Sequence, residues 1–286
     1  MSLPRFEYRA PGTLADALAV RREAGEDALV MAGGLTTVIL MRERLARPRL
    51  VLSLSEIEAL RRIEANGALS IGAMATHAEI VRSPAVAAVA PLIAEACGHV
   101  GSPAIRNMGT LGGNVCHADS ASDPAPALLA LDAEAVIAGP RGERRLPMTG
   151  FFQGTLTTAL GGDELLAAIR IPRPAAGTAS RFVKYTATTA EAFATVTVAM
   201  TVVKDAAGAC RSARIGLGSV ASTPIRATAA ESLLAGRRLT REAIDEAARA
   251  AADATSPSSN NQGSAGYRRE MTRVWVRRLL EDIAAR

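Results

Sequence analysis

Hydrophobic positions in the first 56 residues alternate between helical spacing and short unbroken runs. Thr13 and Asp16 are placed as a capping box before a stretch of helical spacing, and Gly25 supplies its stop. The continuous apolar runs at 28–31 and 50–53 are typical of short buried strands. The pattern therefore predicts a helix, a strand, a turn and a second helix within the first forty residues.

Between residues 57 and 175 the pattern is interrupted by one long irregular stretch. Residues 98–123 show little periodicity and are dense in Gly, Ser, Asn and Asp. Such stretches are uncommon inside compact domains unless they are functional. Asp123 followed by Pro124 is a typical helix start, with Asp123 as the N-cap. The other predicted elements are a strand at 69–72, a helix capped by Thr76 and Glu79 and ended by Pro84, a helix at 85–97, and strands at 133–138 and 165–171.

The composition changes at residues 172–177, which we interpret as a linker. Beyond it, alternating apolar and polar positions predict antiparallel strands, with a turn at 205–208. The layout is α/β followed by α+β, without an internal repeat. The predicted elements of this part are strands at 181–186, 195–204 and 213–220, helices near 227–235 and 240–254, a polar loop at 255–264 and a closing helix at 267–284.

Composition narrows the class of protein. The chain has 286 residues, 49% of them hydrophobic, and no apolar run near the ~18 residues of a membrane span. Only nine residues are aromatic (5 Phe, 3 Tyr, 1 Trp), too few for a surface that stacks nucleic-acid bases. The net charge is +5 without a polybasic block, and Lys184 and Lys204 are the only lysines. This balance suits an anionic ligand or an acidic protein partner.

The cysteines and histidines indicate no metal or nucleophilic site. Cys97, Cys116 and Cys210 are isolated in sequence, so we expect neither a disulfide framework nor an iron–sulfur or zinc site on this chain. His77 and His117 each follow a candidate loop, whereas His99 is interpreted as structural. Residues 1–5 lack the apolar core of a signal peptide, and we expect a cytoplasmic location.

Two glycine pairs mark candidate ligand loops. Gly33-Gly34 follows a predicted strand and precedes a helix, a position where backbone N–H groups can converge on an anion. By itself this turn fits either a phosphate site or a plain strand-to-helix turn, and it lacks Walker and Rossmann spacing. Gly112-Gly113 stands in a second loop, with Thr110 and Asn114 beside it. Two such loops favour a pyrophosphate held by backbone amides, in agreement with the scarcity of lysine.

The stretch from Ile105 to Asn114, IRNMGTLGGN, with Ser122-Asp123-Pro124 after it, resembles the signature of a flavoprotein family. These are the FAD-binding medium subunits of molybdenum hydroxylases, such as aerobic carbon monoxide dehydrogenase, quinoline oxidoreductase and the flavin domain of xanthine dehydrogenase. Further blocks match in order and spacing, so that the resemblance covers nearly the whole chain. They are Ala32-Gly33-Gly34, residues 72–77, 165–172 and 182–185, and the closing Tyr267-Arg268-Arg269 segment.

The resemblance implies a fold and a domain organisation. The fold class is α+β, with two α/β subdomains forming an FAD-binding domain of the PCMH/VAO type. A C-terminal α+β domain with a small antiparallel sheet and helices follows. The expected boundaries are 1–175 for the FAD-binding domain, with subdomains of about 1–56 and 57–175, and 176–286 for the C-terminal domain.

The resemblance also implies which residues bind FAD. The two glycine loops would surround the pyrophosphate, Ser122 and Asp123 would bind the ribityl or phosphate region, and Gly101 and Ile105 would line the ring or adenosine channel. Leu166 and Lys184 would contact FAD from the far wall. Lys184 would stabilise anionic reduced flavin; the alternative for it is a solvated strand residue. The implied set is Ala32, Gly33, Gly34, Leu35, Thr36, Thr76, Gly101, Ile105, Gly109, Thr110, Gly113, Asn114, Ser122, Asp123, Leu166 and Lys184.

Phe193 aligns approximately with an aromatic residue that stacks near the flavin in carbon monoxide dehydrogenases. The family has an acidic residue directly before that aromatic, whereas this chain has Glu191-Ala192-Phe193. Stacking on the flavin and packing in the core therefore remain equal alternatives for Phe193.

The function implied by the resemblance is electron transfer within a heterotrimeric oxidoreductase. Substrate would be oxidised at a molybdenum cofactor in a large subunit, and electrons would pass through [2Fe–2S] clusters of a small subunit to FAD on this chain and then to an external acceptor. The expected assembly is a dimer of heterotrimers. Two alternatives stay open: a self-contained FAD oxidase or a reductase of the cell-wall precursor type, and a non-catalytic binding module.

Overall fold

A three-stranded parallel sheet forms the N-terminal part of the fold. Its elements are β1 (Glu7–Arg9), α1 (Leu14–Ala24), β2 (Ala28–Met31), α2 (Leu35–Arg42) and β3 (Leu50–Ser53). The computed structural model describes residues 3–286, so Met1 and Ser2, part of the stretch searched for a signal peptide, lie outside the described residues. The strand order is β1-β3-β2, and β3 is buried at every position. Burial on both faces explains why residues 50–53 show no alternation.

The local signals of this part are confirmed. The Thr13 hydroxyl accepts a hydrogen bond from the backbone N–H of Asp16 at 3.1 Å and caps α1. Gly25 ends the helix with φ 54°, in the left-handed region that favours glycine. Both predicted strands have the expected bounds. The short edge strand β1 was not predicted, because its three residues are mostly exposed and carry no apolar run.

A five-stranded antiparallel sheet and six helices form the middle part. The elements are β4 (Ile63–Asn66), β5 (Ala68–Gly72), α3 (His77–Arg82), α4 (Pro84–Val89), α5 (Pro91–Gly98), α6 (Pro103–Met108), α7 (Leu111–His117), α8 (Pro124–Ala130), β6 (Glu134–Gly139), β7 (Gly142–Pro147), β8 (Phe152–Gly154), β9 (Thr157–Thr158) and β10 (Leu165–Ile171). The sheet order is β4-β5-β10-β6-β7, and β8 pairs with β9 separately. The main core lies between this sheet and the helices.

Two predictions for the middle part are wrong. Residues 85–97 form two helices instead of one, because Pro91 cannot continue α4 and begins α5. The stretch 98–123 contains α6 and α7, which begin at the capping residues Ser102 and Thr110. The predicted helix start is confirmed, because α8 begins at Pro124 with Asp123 at the N-cap position, although the Asp123 side chain makes no capping hydrogen bond. Each of these helices has at most eight residues, too short for a clear 3.6-residue period.

A four-stranded antiparallel sheet covered by helices forms the C-terminal part, as predicted. The order β11-β12-β13-β14 follows the chain, and the turn at 205–208 joins β12 to β13. Strands β11 and β13 begin three residues earlier than predicted, and β12 begins one residue later than predicted. The elements are β11 (Thr178–Tyr185), β12 (Val196–Lys204), β13 (Cys210–Gly218), β14 (Ile225–Arg226), α9 (Thr228–Leu234), α10 (Arg241–Asp253) and α11 (Ala265–Ala284).

Helix α8 packs directly on the C-terminal sheet. At Gly216 in β13, a Cβ atom would lie 2.1 Å from the carbonyl oxygen of Pro126 in α8. The backbone N–H of Ser219 donates to the carbonyl of Ser120 at 2.7 Å, just before α8. The main core also includes Phe182 and Ala199 from β11 and β12. The sheet therefore supports the segment that carries Ser122 and Asp123. Among residues 3–286, no helix is both long and apolar enough to cross a membrane.

Candidate functional site

The first glycine loop, residues 32–36, presents unpaired backbone N–H groups. Gly34 has φ 77°, a left-handed conformation that turns the chain from β2 into α2. Within the described residues, the backbone N–H groups of Gly33, Gly34 and Leu35 donate to no other group. Consecutive N–H groups on either side of a left-handed residue form a concave anion site, and the start of α2 adds a partial positive charge.

The second glycine loop, residues 109–114, lies against the first, and its glycine pair lies in the first turn of α7 rather than in a loop as predicted. A Cβ atom on Gly33 would be 1.9 Å from the carbonyl oxygen of Met108, so that only glycine allows this approach. Gly113 would place its Cβ atom 3.2 Å from the Cβ atom of Ala32. Two stretches far apart in sequence thus meet at one point. The predicted convergence of the two loops is present in the structure.

Backbone hydrogen bonds to residues 73–77 hold the second loop. The N–H of His77 donates to Gly109 at 3.0 Å, and the N–H of Leu111 donates to Ala75 at 3.0 Å. Thr76 caps α3 through the predicted capping box with Glu79. Thr76 therefore lies beside Thr110, where its hydroxyl already binds the Glu79 carboxylate at 2.8 Å.

Thr110 and Asn114 are held by side-chain hydrogen bonds. The Thr110 hydroxyl accepts from the N–H of Gly113 at 3.0 Å and caps α7. The Ser122 hydroxyl donates to Asn114 Oδ1 at 2.5 Å. It also accepts from the N–H of Ala125 at 3.3 Å, so Ser122 caps the start of α8 instead of Asp123. The structure thus brings Ser122 to the second loop, as the predicted set requires.

Asp123 and Lys184 form a buried ion pair. Lys184 Nζ lies 2.8 Å from Asp123 Oδ2, and the two side chains are only 4% and 7% exposed. Lys184 Nζ also donates to the carbonyl of His99 at 2.9 Å. Within residues 3–286, Asp123 Oδ1 is buried and has no hydrogen-bond partner. The solvated alternative for Lys184 is therefore wrong, and one carboxylate oxygen is free to accept from a ligand.

Burial controls the protonation of two groups at this site. It raises the pKa of Asp123 to about 6, although Lys184 acts in the opposite direction. It lowers the pKa of His77 to about 4, and the Arg106 guanidinium adds to this shift. His77 is thus neutral near pH 7. The Nδ1 atom of His77 lies 3.5 Å from the sulfur of Cys97. Because burial also raises the pKa of Cys97, the two residues do not form a reactive pair.

Apolar side chains border the loops. Ile105 is 40% exposed and Met108 is 56% exposed, both on the helix that leads into the second loop. Gly101 has φ 42°, and the Ile105 side chain covers it. Leu166 differs from the rest of the predicted set, since it is 4% exposed within the main core and no described polar contact ties it to the loops.

Sequence reasoning missed Arg106, the residue that holds the segment before α6. Its guanidinium donates to the carbonyls of Val100 and Gly101 at 3.1 and 2.7 Å. The signal available in the sequence was an arginine inside the IRNMGTLGGN stretch with no carboxylate near it in the chain. Phe193 is 64% exposed, so core packing is wrong for it. No group of three metal-ligating side chains occurs among residues 3–286.

Two models of known protein families match this chain. A family model described as the FAD binding domain in molybdopterin dehydrogenase matches residues 4–174. A second one, the CO dehydrogenase flavoprotein C-terminal domain, matches residues 181–283. Together they span most of the chain and contain both glycine loops, Asp123 and Lys184.

Three full-length similarities agree with these matches. The carbon monoxide dehydrogenase medium chain of Hydrogenophaga pseudoflava is 36% identical, covering 99% of this chain and 98% of the relative. The nicotine 6-hydroxylase medium subunit of Paenarthrobacter nicotinovorans is 34% identical, covering 100% of both. A chain in the structure of reconstituted CO dehydrogenase from Oligotropha carboxidovorans superposes with a TM-score of 0.95 at 36% identity, covering 100% of both chains.

Proposed function

Since the chain belongs to the family of FAD-binding medium subunits of molybdenum hydroxylases, we propose that it holds FAD between its two glycine loops and passes electrons from [2Fe–2S] clusters of a small subunit to an external acceptor. Substrate is oxidised at a molybdenum site in a large subunit, and two heterotrimers form the complete enzyme. The medium-chain names of the relatives support this division of labour.

The convergence of the two loops carries the proposal. Free N–H groups on Gly33, Gly34 and Leu35 offer donors to a pyrophosphate. The backbone contact of Gly33 with Met108 fixes the second loop beside them. Backbone donors suit a chain whose only lysine at the site, Lys184, is already engaged by Asp123. In the second loop the N–H groups of Gly109 and of residues 111–114 already donate within the protein, so the first loop supplies the free backbone donors for a diphosphate.

The remaining predicted residues fit the other parts of FAD. The buried, unpartnered Asp123 Oδ1 would accept a hydrogen bond from a ribityl hydroxyl, and Thr36 adds a donor at the start of α2. The exposed faces of Ile105 and Met108 would be covered by a ring of the cofactor. Lys184 would place positive charge near the reduced flavin. When bound, FAD supplies both one- and two-electron redox chemistry.

We also propose that the domain boundary lies near residues 172–177. The first family model ends at residue 174, within this stretch, and the second starts at residue 181, just after it. Within the FAD-binding part, the division near residue 56 separates the parallel sheet from the five-stranded sheet. These limits support the proposed organisation into 1–56, 57–175 and 176–286.

The substrate belongs to the proposed large subunit. Relatives at 34–36% identity carry names that include carbon monoxide and nicotine. Medium subunits that match this chain along their whole length occur in enzymes named for such different molecules, which supports the view that this chain contacts neither of them. The isolated chain is therefore expected to turn over no organic substrate. Robust turnover by the chain alone would instead support a self-contained flavin enzyme.

Flavin content of two glycine variants tests the proposal. The purified chain should show flavin absorbance at about 450 nm after incubation with FAD. Gly33→Ala should abolish it, because the new Cβ atom meets the Met108 carbonyl and separates the loops. Gly12→Ala is the matched control, since a Cβ atom there meets nothing within 4 Å. A colourless wild-type chain, or a Gly33→Ala variant that binds FAD normally, contradicts the proposal.

A further inference from the structure

His77 lies beside the point where the two glycine loops meet. It begins α3, is 1% exposed, and its backbone N–H donates to the carbonyl of Gly109 at 3.0 Å. A Cβ atom on Gly109 would lie 3.2 Å from Cδ2 of the His77 ring and 3.3 Å from Leu35, which begins α2. Gly33 meets the same residue, since its Cβ atom would be 3.3 Å from the Gly109 Cα atom. The imidazole therefore packs against the second loop at its contact with the first.

The contact with Cys97 determines which ring nitrogen of His77 carries the proton. Nδ1 of the ring lies 3.5 Å from the Cys97 sulfur. Burial raises the pKa of Cys97, and the carboxylate of Asp123 adds to this shift, so the sulfur is a thiol that donates. Since the pKa of His77 is lowered to about 4, the ring is neutral near pH 7 and has one N–H. With Nδ1 as the acceptor of the thiol, that N–H is at Nε2.

Nε2 is the open atom of this ring. Among residues 3–286, the His77 side chain makes no hydrogen bond other than the one to Cys97. Nε2 does not, however, belong to the fully buried polar atoms that lack a partner, so the small exposed area of the residue includes Nε2. Because Nε2 is bonded to Cδ2, the ring atom next to Gly109, this free donor lies at the junction of the two loops.

The second loop has few backbone donors left for a ligand. The N–H groups of Gly109 and of residues 111–114 already donate within the protein. The free N–H groups at residues 33–35 all belong to the first loop. A hydrogen bond to a charged oxygen is about twice as strong as one between neutral groups, so one additional donor on the side of the second loop contributes substantially. His77 Nε2 is a donor on that side.

We propose that His77 is a further binding residue of the FAD site, and that its neutral Nε2–H donates to an oxygen of the cofactor's diphosphate at the junction of the two loops. The assignment rests on the proposed function, which places FAD between these loops. In this role His77 supplies a hydrogen bond without a positive charge, as the backbone donors of the first loop do. It takes no part in electron transfer.

Two amide variants separate this role from a purely structural one. The amide nitrogen of His77→Gln reaches the position of Nε2, whereas the shorter side chain of His77→Asn reaches only the position of Nδ1, beside Cys97. A residue that merely supports the fold through Cys97 is replaced better by asparagine, and a residue that binds the diphosphate is replaced better by glutamine. Equilibrium dialysis of the full chain with FAD should show a dissociation constant raised about threefold or less in His77→Gln and about tenfold or more in His77→Asn.

Nitrogen NMR of the wild-type chain tests the same contact without a substitution. The chain has only three histidines, and the signal of His77 is the one that is absent in His77→Gln. At pH 7 we expect a neutral ring with the proton at Nε2, and the Nε2 signal should shift when FAD is added. Arg82→Gln, an exposed position at the end of α3, is the control for the binding measurement and should bind FAD as wild type does.

The outcomes separate this assignment from the proposed function. Equal FAD affinities of the two amide variants, or a weaker affinity for His77→Gln, overturn the role of His77 and leave the proposed function intact. A proton at Nδ1, or a His77 signal that does not respond to FAD, also overturns it. A wild-type chain that takes up no FAD contradicts the proposed function instead.

Discussion

The ion pair of Asp123 and Lys184 links the segment before α8 to strand β11 at the candidate site. Asp123 precedes α8, Lys184 lies near the end of β11, and their contact is almost completely buried. Removing one partner of such a pair leaves a buried charge and destabilises a protein by about 3–5 kcal/mol. The pair therefore leaves neither buried charge uncompensated, while Asp123 Oδ1 stays free for a ligand.

The raised pKa of Asp123 predicts that FAD affinity depends on pH. Above pH 6 the carboxylate is ionised and accepts hydrogen bonds; below pH 6 it is protonated and Lys184 loses its partner. If FAD binds the ionised form, affinity should fall about tenfold as pH decreases from 7 to 5. Titration with FAD, followed by fluorescence, measures the affinity at each pH. The pKa of His77, about 4, lies below this window.

Asp123→Asn is the variant that isolates this effect. It should bind FAD more weakly than wild type at pH 7 and show a flat profile between pH 7 and 5. In the FAD-free chain the sign is reversed: the folded-state pKa of Asp123 exceeds its ordinary value of 3.8, so this residue lowers stability as pH rises from about 4 to 6. A wild-type FAD affinity that is constant across the window contradicts the assignment.

Helix α7 begins within the second glycine loop, and the Thr110 side chain caps it. Thr110 is 3% exposed, and its hydroxyl accepts from the N–H of Gly113. Thr110→Val keeps the shape but removes the acceptor, which should lower the free energy of unfolding by about 1 kcal/mol. It should also weaken FAD binding, because the loop loses its fixed conformation. Urea denaturation and FAD titration measure the two effects.

Thr110→Ser is the matched control for this helix. Serine keeps the hydroxyl that caps α7 and removes one methyl group, so FAD affinity should stay close to that of wild type. If Thr110→Val and Thr110→Ser bind FAD equally well, the cap does not contribute to the loop conformation. Only Thr110→Ser leaves a small cavity in place of the methyl group. Comparing the stability of the two variants therefore separates the loss of packing from the loss of the cap.

At the element scale, capping residues and apolar runs predicted more of the fold than periodicity did. Thr13, Thr76 and the runs at 28–31 and 50–53 identified their elements with correct bounds, because those signals are local. Helices α6 and α7 were missed since six or seven residues show no clear period. Their caps, Ser102 and Thr110, were present in the sequence and could have identified both.

The candidate site was predictable only to the extent that its contacts are local in sequence. The glycine pairs marked both loops, but the sequence could not show that Gly33 and Gly112 are required by close backbone approach. A Cβ atom on Gly112 would lie 2.5 Å from the Ala73 carbonyl, a contact with a residue almost forty positions earlier. The burial of Lys184 and the contact of His77 with Gly109 likewise depend on packing between distant segments.

At the scale of the whole molecule, the C-terminal sheet supports the proposed flavin site without containing either glycine loop. Gly216 in β13 lies under Pro126 of α8, where a Cβ atom would be 2.1 Å from a backbone oxygen. Ser122 and Asp123 immediately precede α8 and depend on its position. Gly216→Ala should therefore displace α8, lower the thermal midpoint and reduce FAD affinity, although Gly216 is about a hundred residues from the second loop.

Gly266→Ala, in the first turn of α11, is the matched control for Gly216→Ala, because a Cβ atom there meets nothing within 4 Å. The Gly266→Ala variant should be slightly more stable than wild type, because alanine has a higher helix propensity than glycine, by about 1 kcal/mol. Its FAD affinity should be unchanged. Calorimetry measures the stability of both variants, and titration with FAD measures their affinity. If Gly216→Ala loses stability but binds FAD as wild type does, the two parts of the molecule act independently, and the coupling through α8 is wrong.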